Sequence, residues 1–351
     1  MPEIPAPSTV LLGGLPTAGR LALTQLLEQP GVRVVTVGEN PAELITCIRR
    51  LQPRLLIVSA LQLRALELLS RHAVLPVLLY CEVPPLADMM RKVSRWGVFD
   101  FILADATHAD WGREVLHKVQ TVLPLREPAR LAAVPSLVGG LVIIGGSTGS
   151  PAAVEQLVPA LPATLACPIV VAIHLPPSFL ASFVRRLARV AALPVVAGWA
   201  GTPLAPGRIV VVPGGRNLLI RPALNSPWQS WQLDFSTESS PAGNDPSVDI
   251  LMRSAARTVG RNVLGVVLTG LGHDGTLGAQ AIRQHGGTVL VQDEASSVVF
   301  SMPESVIRAG LATAVLPLKD LPQAIVHHAG QFRRVAPLEA RSAQSPIFRA
   351  V

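Results

Sequence analysis

Leu141 to Pro151 reads LVIIGGSTGSP, and this stretch restricts the fold more than any other part of the chain. Four consecutive apolar residues, Leu141 to Ile144, run straight into glycine, which suits a strand buried on both faces of a parallel sheet. Gly145, Gly146, Ser147, Thr148 and Gly149 make a tight turn. Pro151 then stands in the first turn of a helix, where its missing N–H costs nothing. The expectation is strand, glycine turn and helix, with a hydroxyl at the turn. A serine placed there leaves the C-terminal edge of the sheet beside the unpaired N–H groups and positive end of a helix, which stabilise an oxyanion. The segment fits the G-x-S-x-G pattern of a nucleophile elbow. It suits a phosphate cradle equally well, or a glycine turn with no chemistry.

The rest of the chain alternates strands and helices. Strands are expected at 10–12, 32–37, 55–58, 77–80 and 99–103, with helices at 17–27, 41–51, 61–71, 86–96 and 111–122. Five such units make a doubly wound parallel sheet. Residues 124–139 carry three prolines and no period, which marks a linker. Beyond it come strands at 168–173, 263–269 and 288–292, and helices at 177–190, 247–259 and 276–285. Phe179, Phe183, Leu187 and Val190 recur at helical spacing and are assigned to the core. Residues 207–212, 218–221 and 228–235, separated by Pro, Gly and Asn, are read as antiparallel strands. Residues 1–8 read as a loose lead, and 331–351, Arg-rich and aperiodic, as a loose tail. The expected class is α/β: a first (βα)5 sheet over 1–123, then a mostly parallel sheet with a hairpin insertion over 140–330.

The apolar strands of the second half end in a set of groups with one chemical use. The first runs into Ser147, the strand 168–173 into His174, and the strand 263–269 into Asp274. Parallel strands bring these ends to one sheet edge. A hydroxyl, an imidazole and a carboxylate there suit acyl transfer: Ser147 attacks, His174 moves the proton, and Asp274 fixes the tautomer. Each also has an ordinary reading: Ser147 as a helix cap, His174 as a strand-end histidine, Asp274 as the cap of the helix starting near Thr276. Asp293 and Asp249 are the competing carboxylates. Asp293 follows a strand, whereas Asp249 lies inside a helix. A dinucleotide site wants an acid at the end of the next strand, and His174 stands there instead. No Walker lysine follows Gly149 either.

Composition bounds the remaining classes. The 351 residues favour two domains, and 49% are hydrophobic, enough for sizeable cores. The formal charge of +7 comes mostly from scattered arginines; aromatics make up only 4%, and no basic block appears, which argues against nucleic acid. No apolar run approaches a membrane span, and the first residues lack a signal-peptide pattern, so a cytoplasmic location is expected. Cys47, Cys81 and Cys167 form no C-x-x-C pair, so neither a zinc site nor a disulfide framework is expected.

Residues 141–327 resemble the catalytic domain of the chemotaxis protein-glutamate methylesterases, the CheB family. The resemblance rests on IIGGSTGSPAAV, HLPPSFLASFVRRL, PSVDILMRSAA, GRNVLGVVLTGLGHDG and QDEASSVVFSMPESVI. It implies Ser147 as nucleophile, His174 as base and Asp274 as orienting acid, with the backbone of Thr148 and Leu271 as oxyanion partners. The implied reaction removes γ-methyl esters from glutamates of methyl-accepting chemoreceptors and deamidates receptor glutamines, with no cofactor or metal. The alternative is a catalytically idle adaptor that docks on receptors or regulators. The first half resembles a receiver in layout, but Gly13 and Gly14 replace the acidic pair. Ser59 stands at the phosphoacceptor position, Cys81 at the hydroxyl position and Ala104 at the lysine position. A pseudo-receiver that takes no phosphate is expected, one that docks a partner or holds a fixed orientation instead of acting as a phosphorylation switch.

Overall fold

The computed structural model describes residues 8–70, 75–123, 139–223 and 231–332. The expected lead apart from Ser8, the linker apart from Gly139, and the tail beyond Phe332 lie outside the described residues; Ser8 opens β1.

The first sheet is built from β1 (Ser8–Gly13), β2 (Val32–Val37), β3 (Leu55–Ser59), β4 (Val77–Cys81) and β5 (Val98–Leu103). Helices α1 (Thr17–Leu27), α2 (Pro41–Leu51), α3 (Leu63–Ser70), α4 (Ala87–Ser94) and α5 (Trp111–Val122) connect and flank these strands. All pairings are parallel, in the order β2-β1-β3-β4-β5. This is the doubly wound order of flavodoxin-like sheets. β3 and β4 are buried along their whole length, as strands covered on both faces must be.

The second sheet holds β6 (Leu141–Gly146), β7 (Ile169–Ile173), β8 (Val195–Ala197), β9 (Ile209–Val211), β12 (Val263–Val267), β13 (Thr288–Gln292) and β14 (Ala314–Leu316). Between β9 and β12 the chain forms a separate antiparallel ribbon of β10 (Leu218–Pro222) and β11 (Trp231–Phe235). The helices are α6 (Ser150–Leu157), α7 (Leu180–Val190), α8 (Val248–Val259), α9 (Thr276–Gln284), α10 (Ser301–Arg308) and α11 (Leu321–Gly330). The order β14-β13-β12-β6-β7-β9-β8 is parallel throughout. β6 comes first in the chain yet lies in the middle. From it the chain runs outward through β7, then returns to build the other half from β12. That reversal makes the C-terminal end of β6 the topological switch point, the usual place for a site in such sheets.

Two expectations are corrected. Residues 209–211 belong to the parallel sheet, not to the hairpin insertion. All three are buried, and a strand sealed on both faces has no alternation to separate it from a hairpin strand. Phe179 and Val190 are about half exposed, whereas Phe183 and Leu187 are fully buried. The residues before Leu180 form a 3₁₀ turn, which rotates Phe179 off the buried stripe of α7.

The α4–β5–α5 side of the first sheet packs on the second, against α7 and the segment after β7. Phe99 tilts against Trp199 with ring centroids 5.2 Å apart. Arg216 Nε donates to the Arg95 carbonyl at 2.6 Å, and burial pulls the Arg216 guanidinium down to about 10.

Candidate active site

The turn after β6 is fixed through its backbone groups, which bond to both backbone and side-chain partners. The Ser147 N–H donates to the Thr269 carbonyl at 3.0 Å, and the Ser147 carbonyl accepts from the Ser150 N–H at 3.0 Å and from Ser150 Oγ at 2.6 Å. The serine backbone is thereby tied on both sides while its side chain stays partly exposed. Gly149 has φ +84° and opens α6, a left-handed step that a side chain rarely takes. Gly270 lies against Ser147: a Cβ there would stand 2.8 Å from both Cβ and N of that serine. Only glycine lets these two loops come so close.

Strand register brings the imidazole alongside. Gly146 pairs with Ile173, so the next residues, Ser147 and His174, are neighbours across the sheet. The His174 N–H donates to the Gly146 carbonyl at 3.2 Å. His174 Nε2 stands 2.8 Å from Asp274 Oδ2. A carboxylate only accepts, so Nε2 carries the proton and Nδ1 is the nitrogen left with a lone pair. Among the described residues no hydrogen bond joins Ser147 Oγ to His174; adjacency of the two rests on the register.

Asp274 is fully buried, a costly place for a charge unless donors surround it. Four do. Oδ2 accepts from His174 and from the Val248 N–H at 2.8 Å, and Oδ1 accepts from the Asp249 N–H at 2.9 Å and from Ser247 Oγ at 3.1 Å. Three of these belong to the first turn of α8, so the carboxylate also sits at the positive end of that helix. Burial raises the cost of charging Asp274. The hydrogen bonds from His174 and from the N–H groups of Asp249 and Val248 outweigh it and hold the carboxyl below its usual range.

The α8 terminus is itself anchored. The Ser247 N–H donates to Asn217 Oδ1 at 2.7 Å, which ties the helix to the residue preceding the β10–β11 ribbon. On the other side, Thr269 Oγ1 donates to the Thr148 carbonyl at 3.0 Å, and the Thr269 N–H donates to the buried Gln292 Oε1 at 2.8 Å. Ser301 Oγ bonds the Gly272 carbonyl at 2.8 Å and pins the 270–272 loop. Asn217, Ser247, Thr269, Gln292 and Ser301 escaped the sequence reading. The signal was weak: isolated polar residues beside apolar runs.

The expected oxyanion partners, Thr148 and Leu271, stand exposed at the rim. Among the described hydrogen bonds neither backbone N–H is used. Of the competing carboxylates, Asp293 accepts from the N–H and Oγ of Ser296, at 3.0 Å and 2.6 Å, and so turns the loop after β13. Asp249 is buried, at the second position of α8. In the first sheet, Gly13, Ser59 and Cys81 are buried at strand ends, and Ser59 Oγ accepts from the Leu61 N–H at 3.2 Å. The Ala104 N–H bonds the Cys81 carbonyl at 2.8 Å. Among the described residues no group of three His, Cys, Asp or Glu side chains is placed to hold a metal ion.

Fold and site define a class: an α/β protein whose hydroxyl, imidazole and carboxylate leave three adjacent strands at the switch point of a parallel sheet. A profile described as CheB methylesterase matches residues 142–325. A "Protein-glutamate methylesterase/protein-glutamine glutaminase 5" of Myxococcus xanthus is 31% identical over 346 residues, covering 92% of this chain and 98% of that protein. The protein-glutamate methylesterase/protein-glutamine glutaminase of Moorella thermoacetica is 44% identical over 187 residues, but that match spans only 43% of its length. The crystal structure of the Thermotoga maritima CheB methylesterase catalytic domain superposes with a TM-score of 0.52 at 35% identity, covering 54% of this chain and 98% of that one. The chain belongs to the CheB methylesterase family.

Proposed function

We propose that this protein hydrolyses γ-methyl esters of chemoreceptor glutamates and deamidates receptor glutamines, working at the cytoplasmic face of the membrane that holds the receptors. Residues 140–330 form the catalytic domain and 1–123 a pseudo-receiver, joined by the linker 124–139. Ser147 is the nucleophile. Its Oγ attacks the γ-carbonyl carbon as its proton passes to His174 Nδ1, and the carbonyl oxygen takes the negative charge, facing the free N–H groups of Thr148 and Leu271. The tetrahedral carbon then expels methanol, or ammonia from an amide, with the proton returned by His174. Water repeats the sequence on the acyl-enzyme and frees Ser147 and a glutamate. Asp274 holds the Nε2–H tautomer throughout and faces the transient imidazolium.

The observation that carries this reading is the 2.8 Å bond between His174 Nε2 and the buried, four-donor Asp274 carboxylate. It leaves Nδ1 for the serine on the adjoining strand. Methylated receptor membranes should release methanol when incubated with the full chain, and Ser147→Ala should lower that rate by roughly 10⁴-fold or more. Equal release by both proteins rejects the reading, and no release by the full chain favours the idle adaptor.

Phosphorylation does not control the reaction in this reading. An acyl-phosphate needs a carboxylate acceptor and a cluster of acids to hold Mg²⁺. The sheet edge here offers glycine, serine, cysteine and alanine.

A further inference from the structure

Asp274 is not held by one helix alone. Its carboxylate caps α8, while the Asp249 side chain, rising from α8, caps α9: Asp249 Oδ1 accepts from the N–H groups of Gly275 and Gly278, each at 2.8 Å. Gly275 directly follows Asp274. The two aspartates therefore exchange helix ends, each bonding the backbone beside the other. Gly278 makes the contact close, because a Cβ there would stand 3.2 Å from the Asp249 Cα.

The exchange is asymmetric. Both Asp274 oxygens are fully provided with donors, whereas Asp249 Oδ2 is buried with no hydrogen-bond partner among the described residues. Two buried carboxylates side by side resist carrying two charges. When the pair takes up a proton, Asp249 Oδ2 can carry it without losing a hydrogen bond, whereas a proton on Asp274 would displace one of its four. Burial, with the neighbouring Asp274 charge, pushes the Asp249 carboxyl up.

We propose that Asp249 is a positioning residue for the reaction: it fixes the loop that carries Asp274 onto the end of α9 and takes the proton that the pair acquires, so that Asp274 stays charged against His174. This rests on the triad reading above. The titratable groups that bear on Asp249 are Asp274, from the loop before α9, and His174 beyond it at the end of β7. From α9 and its cap it meets the backbone N–H groups of Gly275 and Gly278.

The test measures kcat and KM for methanol release by the full chain from about pH 5 to 8, for wild type, Asp249→Ala, Asp249→Asn and the Ser147→Ala control. Asp249→Ala loses about 10–100-fold in kcat with KM nearly unchanged, the usual cost of losing the group that orients a functional side chain. Asp249→Asn keeps an oxygen for both glycine N–H groups and regains kcat to within about fivefold of wild type. It also removes a buried negative charge near the imidazole, so the acid limb of its pH–rate profile moves to lower pH. Two equally impaired variants with the wild-type limb overturn the proposal, as does rescue by Asp249→Asn with an unmoved limb or wild-type kcat in Asp249→Ala. If Asp249→Ala does not fold, the limb of Asp249→Asn decides alone: displaced supports the proposal, unmoved refutes it. Full activity in Ser147→Ala is a different failure and removes the triad reading itself.

Discussion

Asp274→Asn changes one atom, and the structure sets its cost. The amide keeps one acceptor oxygen and turns the other into a two-proton donor. Facing His174 and Val248, the new NH₂ meets two donors. The imidazole adapts by shifting its proton to Nδ1, which removes the lone pair that Ser147 needs, and the Val248 N–H is left unpaired. Facing the other way, the NH₂ orphans the Asp249 N–H, and Ser247 turns its hydroxyl to accept. His174 then keeps its tautomer but loses the charge opposite its protonated form. One stranded N–H costs about 1–3 kcal/mol. The lost charge at the α8 terminus adds roughly 0.5–1 kcal/mol. The melting temperature should fall by roughly 5–15 °C at neutral pH, and kcat for methanol release by roughly 10⁴-fold. The stability gap depends on pH with a definite sign. Asp274 is held below its ordinary value, so its contribution is present above the usual carboxylate range and is lost as pH falls through the folded value. Wild type and variant should therefore converge in melting temperature below about pH 4. Melting curves at neutral and acid pH, with methanol release at neutral pH, check all three statements. A variant that melts with wild type at pH 7 and turns over at the wild-type rate would falsify the placement of Asp274 as an ionised, donor-saturated group.

Two further outcomes follow from separate contacts. Gly270→Ala puts a methyl 2.8 Å from the Ser147 Cβ and N, so Ser147 must shift; on the triad reading kcat drops by roughly 10²-fold while KM holds, and an unchanged kcat shows that the serine needs no glycine beside it. Incubation with a small-molecule phosphodonor and Mg²⁺ leaves the intact mass unchanged, since Ser59 replaces the acceptor and Gly13, Gly14 and Ala104 its helpers; one added phosphate on the first 123 residues refutes the pseudo-receiver.

Legibility in the sequence tracked how local the cause of each feature was. The long buried strands were readable because a run such as Leu141 to Ile144 needs no partner to announce itself. The serine, histidine and aspartate were readable because each ends or closely follows such a run, and parallel packing brings those ends together. The strands β8 and β14 are three residues long and only partly buried, so no period or run marked them. The helices α10 and α11 carry no such mark either: each has a proline near its start, which reads locally as a turn. Neither sheet's order was visible beyond its class, because order depends on which face each connection crosses.

The aspartates show where local reasoning fails on chemistry. Asp274 precedes a helix by two residues, and a short acid there reads as that helix's own cap. The structure exchanges the roles: Asp249 caps α9, and Asp274 caps α8, with donors about 26 positions earlier in the chain. Gly275, at φ +102°, takes the cap position of α9 and lets the chain turn there. A self-capping Asp274 would spend its oxygens on the N–H groups of α9. Freed of that duty, the carboxylate points across to the α8 terminus and the end of β7, where one oxygen meets His174. The distant cap is therefore the condition for the contact with His174, and a sequence pattern that sees only neighbours has no access to it.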